Sequence, residues 1–302
     1  MTIRNALEEF IFQKRLSGIG ANSVHNYNST ISLFLRDLGE DLPLTEVTYS
    51  LVADYILKLY KRPISKATMS SYIRNLRIFL RWVYVEYDLS FDPVKIKVPK
   101  SPKKNVHIYS DTEIKYIFSL VKTSVPWITA RNRSIIAFML DSGLRQFEVC
   151  GLLKSNIDKE RGVMKITGKG AKDRMVPVGN MALHFMEKYL SLCPYKESPY
   201  VFYDRRGNEL SGNAIRLFVN RLEKQLPFKL SSHKLRHNFA TNYCIDHVHL
   251  TGKTDVYDLS IIMGHESLET TKRYEHFAHE IIAAENSISH LDICLGIGDK
   301  KE

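Results

Sequence analysis

The chain has 302 residues, of which 44% are hydrophobic, so it is long enough for two buried cores. Its 43 basic and 33 acidic residues give a formal charge of +10, which favours a polyanionic partner. Apolar runs fall short of the roughly 18–20 residues that a membrane helix needs. The N-terminal segment carries acidic residues, unlike a secretory signal. We therefore expect a cytoplasmic protein with no membrane partner.

The cysteine and histidine patterns give no sign of a metal site. The four cysteines lie far apart and form no C-x-x-C pair, which is typical of reduced thiols rather than of a zinc site or a disulfide framework. They are Cys150, Cys193, Cys244 and Cys294. His247 and His249 lie close together in the sequence, but no third ligand is nearby. We expect no bound metal.

Residues 1–92 contain four sets of apolar residues at helical spacing. The sets begin at Ile3, Val24, Val52 and Met69, and they end at Ile11, Leu38, Leu59 and Val83, respectively. Because each set makes one apolar face, the four helices can bury their faces against one another. We predict a small four-helix domain over residues 1–92.

The fourth of these helices also carries a basic stripe. Arg74, Arg77 and Arg81 follow one another at helical spacing on the side opposite the apolar set. Most charged stripes are simply solvated. Here, however, no acidic residue lies four positions away from any of the three arginines, and we predict that the stripe faces phosphate groups.

A basic, proline-containing segment over residues 93–106 has no helical periodicity, and we predict a linker there. Ser110 has the position of a helix N-cap and begins a longer domain, which we place at residues 107–302. Most of it is predicted to be helical. Val163–Thr167 and Arg174–Val178 are strand-like runs that flank Gly168–Asp173, which indicates a β-hairpin with a basic tip. The predicted fold class is therefore mainly α with a small β-sheet.

Four separated segments of the second domain carry residues suited to phosphoryl transfer. They contain Arg145 with Glu148 (SGLRQFE), Lys169 (GKG), His233 with Arg236 and His237 (HKLRH), and His265 (MGH) followed by Tyr274. Each segment alone has an ordinary explanation, such as a surface ion pair or a turn lysine. Together they supply two arginines for phosphate oxygens, histidines for proton exchange, a lysine to protonate a leaving alkoxide and a tyrosine nucleophile. This set can perform phosphoryl transfer without a metal.

In this order, the four segments resemble the signature of the tyrosine recombinase, or phage integrase, family. That signature is a T-G-L-R-x-x-E box, a lysine hairpin, an H-x-x-R-H box, an L-G-H box and a downstream tyrosine. Met263 and Ser142 replace the commoner leucine and threonine. The segment from Ser23 to Phe34 resembles the family's N-terminal core-binding module. The resemblance implies a SAM-like core-binding domain followed by an α+β catalytic domain.

By this resemblance, Arg145 and Arg236 clamp the scissile phosphate and His265 donates a hydrogen bond to it. Lys169 is the general acid for the departing 5′ oxygen. Tyr274 forms a 3′-phosphotyrosyl link, which stores the energy of the broken bond, so that neither ATP nor another cofactor is needed.

The resemblance also gives roles to residues around this set. His233 exchanges protons, Glu148 orients a catalytic side chain from behind, and His237 buttresses the helix. The basic hairpin tip adds Lys172 and Arg174 as predicted DNA contacts, beside the arginine stripe of the first domain.

The implied partner is double-stranded DNA with inverted-repeat core sites, at which the protein integrates or excises a mobile element or resolves DNA. The resemblance implies a homotetramer on two DNA sites, a monomer when free, and a possible need for accessory factors. An apolar tail from about residue 280 is expected to dock on a neighbouring subunit or to fold back on its own domain. The segment from Asp246 to Asp255 looks longer than in compact relatives.

Three alternatives remain open at this stage. A type IB topoisomerase shares the chemistry but relaxes DNA, and the helical N-terminal module favours recombination instead. A catalytically idle DNA-binding regulator would keep the basic faces but would not need all six catalytic residue types. A carboxylate-type transposase would need magnesium, so that activity in excess chelator would exclude it.

Overall fold

The structure is a computed structural model, and it describes residues 1–100, 107–168, 172–287 and 289–295. It divides into two compact units, Met1–Lys104 and Asn105–Glu302. Both units are mainly helical, and the second contains a small antiparallel sheet. The predicted fold class is thus confirmed.

Over residues 1–100, the first unit contains four α-helices, which carry the four predicted apolar sets. They are α1 (Ile3–Leu16), α2 (Ala21–Leu38), α3 (Tyr49–Lys61) and α4 (Lys66–Tyr87). Helices α1, α3 and α4 begin after Thr2, Thr48 and Ser65, whose side chains accept a hydrogen bond from a backbone N–H of the first turn. The apolar faces meet in one core that includes Phe10, Phe34 and Phe79.

The segment predicted as a linker from residue 93 begins as part of this unit. Pro93 and Ile96 are buried in its core, and Ser70 Oγ donates a hydrogen bond to the Pro99 carbonyl oxygen at 2.6 Å. The lysines between them are exposed. Pro93–Lys95 form a short 3-10 helix, which turns Pro93 and the following Ile96 into the core while the lysines stay in water. Residues 101–106 lie outside the described residues.

The second unit surrounds a larger apolar core with helices and one sheet. Its helices are α5 (Asp111–Leu120), α6 (Pro126–Asp141), α7 (Gln146–Cys150), α8 (Asn180–Leu192), α9 (Gly212–Glu223), α10 (Ser232–Thr251), α11 (Val256–Met263), α12 (Leu268–Glu285) and α13 (His290–Leu295). Ser110 caps α5 as predicted, in a capping box with Glu113.

The sheet has the order β1-β2-β3, with β1 at Ile157–Asp158, β2 at Val163–Thr167 and β3 at Asp173–Pro177. Strands β2 and β3 form the predicted hairpin, in which Thr167 pairs with Asp173 and Gly168 N–H donates to the Lys172 carbonyl oxygen. Strand β1 was not predicted because two residues are too few to show a periodicity. Residues 169–171 at the tip, including Lys169, lie outside the described residues.

Two further segments have defined positions in the second unit. Residues 246–251 continue helix α10, which ends at Gly252 in the left-handed conformation (φ 77°). The predicted tail begins inside α12, and Leu291 and Leu295 of α13 are each 65% exposed. Among the described residues, no helix is long and apolar enough to cross a membrane.

Candidate active site

Two tight backbone turns form the base of the candidate site. Gly143 and Gly264 both have a φ of 60°, a left-handed conformation that favours glycine. A Cβ atom on Gly143 would lie 2.3 Å from the Phe239 ring, so a larger residue does not fit. Gly143 follows α6 and Gly264 ends α11. Both turns therefore direct backbone carbonyl groups into the same region.

These carbonyl groups bind the two arginines that were predicted to clamp a phosphate. Arg236, in the first turns of α10, donates to the carbonyl oxygens of Gly143 and Met263, both at 2.5 Å. Arg145, just before α7, donates to the Gly264 carbonyl oxygen at 2.8 Å. The Arg145 side chain is 29% exposed, whereas that of Arg236 is 6% exposed. The two guanidinium groups are thus fixed in place by main-chain atoms.

Glu148 lies behind both arginines as a fully buried carboxylate. It accepts hydrogen bonds from Arg145 Nη1 at 3.0 Å and from the Arg145 backbone N–H at 2.7 Å, and Arg236 Nη1 is 3.9 Å away. Arg174 adds a bidentate pair, at 2.9 Å to each carboxylate oxygen. Burial alone would raise the pKa of Glu148, but the hydrogen bonds and charges of Arg174 and Arg145 outweigh it and lower that pKa. One carboxylate therefore orients three arginines.

Arg174 differs from the prediction that it contacts DNA. Its side chain is 9% exposed, and its Nε donates to the Ile262 carbonyl oxygen at 2.8 Å while both Nη atoms bind Glu148. Every nitrogen of the guanidinium is thus used inside the protein. Strand alternation explains the difference, because Arg174 lies on the inner side of β3. Lys172, also predicted to contact DNA, is exposed beside the hairpin tip.

Three histidines line the same region, and two of them contact each other. His233 and His237, one turn apart on α10, have their Nε2 atoms 2.7 Å apart, so one ring must donate and the other accept. Burial and the neighbouring positive charges lower the pKa of His233. Burial, His233 and Arg273 lower the pKa of His237 to about 3. Without a bound anion, the pair is therefore uncharged at neutral pH.

His265 follows the Gly264 turn and is oriented by Thr271. Its Nδ1 lies 2.7 Å from Thr271 Oγ1, which leaves Nε2 on the side of Arg236, at 3.4 Å. Burial and the charge of Arg236 lower the pKa of His265 to about 4. Burial and the charge of Arg145 also lower the pKa of Arg236, to about 10, so that this arginine keeps its charge at neutral pH.

Tyr274 lies on α12 with its ring among these groups. The ring is 2% exposed and belongs to an apolar cluster with Phe239 and Met263. Its centroid lies 5.3 Å from the ring of His237 and 6.2 Å from that of His265. The hydroxyl oxygen accepts a hydrogen bond from Arg273 Nη2 at 2.9 Å.

The structure thus brings five of the six predicted catalytic residues together, and Lys169 lies outside the described residues. Two neighbours were missed. Arg273 contacts the tyrosine from the adjacent position, where helical spacing predicts no contact, and Thr271 contacts His265 through its side chain. A hydroxyl residue shortly after the MGH segment was the only sequence signal for Thr271.

The predicted arginine stripe belongs to the first unit. Arg74 and Arg81 are exposed and Arg77 is half-buried. Arg77 donates to the Ile96 carbonyl oxygen at 3.4 Å, and Arg81 pairs with Asp92 at 3.0 Å. Within residues 1–100, the Arg74 side chain makes no hydrogen bond or ion pair.

Two family models match the chain. One, described as "Phage integrase family", matches residues 110–280, and the other, "Phage integrase SAM-like domain", matches residues 3–95. The first contains the active-site residues from Arg145 to Tyr274 and spans more than half of the chain. The chain therefore belongs to the phage integrase family, and it is a tyrosine recombinase, an enzyme of site-specific DNA recombination.

Individual relatives span nearly the whole chain. Tyrosine recombinase XerC of Bacillus pumilus is 27% identical over 86% of this chain and 87% of its own length. Tyrosine recombinase XerD of Halalkalibacterium halodurans is 24% identical over 91% of this chain and 94% of its own.

Solved structures share the fold at lower identity. The Tn1549 transposon integrase in complex with a circular intermediate DNA is 16% identical, with a TM-score of 0.74 over 95% of this chain and 100% of that one. XerH bound to a palindromic difH substrate, in a post-cleavage complex, is 21% identical, with a TM-score of 0.73 over 93% of this chain and 83% of that one.

Proposed function

We propose that the protein cleaves DNA by attack of Tyr274 on a phosphodiester and rejoins it through a 3′-phosphotyrosyl link. The observation that carries this proposal is the position of the Tyr274 ring, between two histidines of the same site that holds Arg145 and Arg236. A tyrosine that only packed in a core would not need a guanidinium at its hydroxyl or two imidazole rings beside its own ring.

The two arginines bind the non-bridging oxygens of the scissile phosphate. Backbone carbonyls and Glu148 fix both guanidinium groups before DNA arrives, so little reorganisation is needed as negative charge grows on the phosphorane. A bound phosphate would partly offset the positive charges that lower the pKa of His265 and His233. These histidines could then donate to, or exchange protons with, the reacting oxygens.

Proton transfer completes the cycle without a metal or ATP. Tyr274 Oη loses its proton, taken by His233, and bonds to phosphorus. The 5′ oxygen leaves and takes a proton, for which Lys169 on the hairpin tip is the proposed donor. Rejoining is the reverse reaction. A carboxylate-type transposase would stop when magnesium is chelated, whereas this enzyme should cleave at an unchanged rate in excess EDTA.

The nucleophile is tested by trapping the intermediate. Tyr274→Phe removes one hydroxyl group, so folding and DNA binding should persist while the covalent adduct with a nicked suicide substrate disappears. Tyr243→Phe, on the neighbouring helix α10, is the matched control and should form the adduct normally. An adduct in Tyr274→Phe would refute the assignment. Its absence in the wild type, with intact DNA binding, would support an idle regulator.

The assembly we propose is a tetramer on two DNA sites with inverted-repeat cores, formed from monomers. Its support is the tail, because Leu291 and Leu295 of α13 are 65% exposed on the single chain, and burying them on a neighbouring subunit would stabilise the complex. Each subunit would give its tail to the next, which closes a ring. Accessory factors could join such a complex.

Leu291→Glu with Leu295→Glu tests this assembly. The double variant should bind a single site normally but lose synapsis of two sites and recombination. Lower solubility or a loss of single-site binding would show that α13 belongs to the core of its own chain. Truncation after Ala284 should likewise leave single-site binding intact and abolish synapsis and recombination.

The cellular role is either integration and excision of a mobile element or resolution of DNA, in the cytoplasm. The transposon integrase neighbour supports the first of these roles, whereas the names of the XerC and XerD relatives specify recombination alone. Mapping the strand junctions formed by the purified enzyme on DNA flanking its gene would decide between them. A transposon or phage end at the junction would indicate a mobile element.

A further inference from the structure

Arg273 precedes Tyr274 on α12 and turns its guanidinium back onto the tyrosine. Its Nη2 donates to Tyr274 Oη at 2.9 Å, and its guanidinium carbon lies 4.9 Å from the centre of the tyrosine ring. The same Nη2 is 3.3 Å from each ring nitrogen of His237. Arg273 is thus in contact with the atom that attacks phosphorus.

This contact is not a consequence of helix geometry alone. Adjacent residues on a helix point about 100° apart, so a side chain reaches its neighbour's hydroxyl only if it is long and bends towards it. Over the residues that the structure describes, Arg273 forms no ion pair with a carboxylate. Its positive charge is therefore available to Tyr274 and to the histidine pair.

The reaction places negative charge at the atom that Arg273 contacts. In cleavage, the O–H bond of Tyr274 breaks, its proton goes to His233, and the oxygen forms the bond to phosphorus while the 5′ oxygen departs. In rejoining, the bond from phosphorus to the tyrosine oxygen breaks and the electron pair stays on that oxygen. A cationic donor in contact with the oxygen stabilises the phenolate in both directions.

We propose that Arg273 is a further catalytic residue, which stabilises the phenolate form of Tyr274 during cleavage and rejoining. This inference rests on the proposed function, because it takes Tyr274 as the nucleophile. It adds a third arginine to the site, directed at the nucleophile rather than at the phosphate oxygens.

The test compares Arg273→Gln and Arg273→Lys on a nicked suicide substrate between neutral and alkaline pH. At pH 7, Arg273→Gln should form the covalent adduct about 100- to 1,000-fold more slowly than the wild type. The deficit should shrink as the pH rises, because hydroxide then ionises the phenol without help from a cation. Arg273→Lys should recover part of the rate, since it keeps the charge.

Lys272→Gln is the matched control. It removes one positive charge from the preceding position of α12, where Lys272 is exposed and lies 3.7 Å from Glu269. It should keep the wild-type rate and pH profile. Equal thermal melting and single-site DNA binding of all variants would show that folding is not the cause of the slower reaction.

Three outcomes would overturn the proposal. A wild-type rate in Arg273→Gln would show that the contact does no chemistry. A deficit that is equal at every pH, with a lower salt dependence of binding, would indicate a phosphate contact instead. Faster cleavage would show that Arg273 holds Tyr274 in an unreactive position before DNA binds. All three leave the proposed function intact, whereas an adduct in Tyr274→Phe would refute the function itself.

Discussion

The arginines of the two units differ in what holds them. In the first unit, Arg74 and Arg81 are exposed, and the ion pair of Arg81 with Asp92 is half in solvent. In the second unit, Arg174 and Arg236 are nearly buried, and their guanidinium groups bind backbone carbonyls and approach one shared carboxylate. The first set provides positive charge in solvent, and the second provides positive charge at fixed positions.

The two sets of arginines should therefore contribute to DNA binding and catalysis in different ways. An exposed arginine attracts DNA through long-range charge, loses much of that attraction in salt and can adapt to the backbone that arrives. A buried arginine has already been desolvated and ordered, so its contribution is to geometry at the reacting phosphate. Substitutions in the two regions should therefore change different measurements.

The largest effect is expected at Glu148. Glu148→Gln keeps the shape but removes the negative charge that three arginines surround, and breaking a buried charge network costs about 3–5 kcal/mol. We expect a loss of this order in the free energy of unfolding and loss of cleavage. Denaturant titration and the suicide-substrate assay measure the two effects.

Glu187→Gln is the control for Glu148→Gln, because Glu187 pairs with Lys159 at 2.8 Å on the surface. It should leave both stability and cleavage nearly unchanged. Equal losses of unfolding free energy and of cleavage in the two variants would mean that the burial of the Glu148 network is not the cause of the effect.

A smaller effect is expected from the two residues of the hairpin. Arg174→Ala leaves Glu148 without its bidentate partner, and we expect destabilisation of about 2 kcal/mol together with slow cleavage. Lys172→Ala, two residues earlier and exposed, should weaken DNA binding at low salt without affecting stability. If Arg174→Ala were as stable as the wild type and only bound DNA less tightly, the original assignment to DNA contact would be right.

Arg174 also shows what the sequence could and could not predict. Periodicity predicts the four helices of the first unit and the hairpin, because it is a local pattern. The residues of the site follow from the order of the motifs and from the set of side chains that phosphoryl transfer needs. The partner of Arg174 is Glu148, 26 residues earlier in the chain. No spacing rule connects residues on a strand and a short helix, so the buried network is visible only in three dimensions.

The same reasoning applies to one segment of the first unit and to one residue of the active site. Lysines and prolines dominate the composition of residues 93–106 and predict a linker, whereas the burial of Ile96 depends on the apolar core of the first unit, which forms only in three dimensions. Arg273 was missed because adjacent residues on a helix point in different directions, and only the length of its side chain allows the contact with Tyr274.

A third prediction concerns pH. The pKa of His237 is lowered to about 3 by burial, His233 and Arg273, while in the unfolded chain it is near 6.5. Between these values the unfolded state binds the additional proton, so stability is complete above about pH 6.5 and falls as the pH is lowered. The slope approaches about 1.4 kcal/mol per pH unit for one proton.

His237→Gln tests the origin of this slope. Chemical denaturation at pH 7 and pH 5 should show a smaller loss of unfolding free energy in the variant than in the wild type, by up to about 2 kcal/mol. His249→Gln, exposed on the same helix α10, should keep the wild-type loss. An unchanged pH dependence in His237→Gln would assign the acid sensitivity to other groups, such as His265.

The smallest effect on the fold is expected in the arginine stripe of the first unit. Replacing Arg74, Arg77 and Arg81 together by alanine should leave suicide-substrate chemistry at saturating protein unchanged. Melting should change little, because Arg74 and Arg81 are exposed and the half-buried Arg77 makes one long hydrogen bond, of 3.4 Å. If all three contact phosphates, the slope of log K against log salt should fall by about 3, at roughly 0.9 per contact.

The three single variants should differ in their effect on this salt slope. Arg74 has no partner within residues 1–100 and should account for a full contact, whereas Arg77 and Arg81 must first release Ile96 and Asp92. An unchanged salt slope in the triple variant would show that the stripe is only solvated, and DNA contact by the first unit would then have to come from other residues.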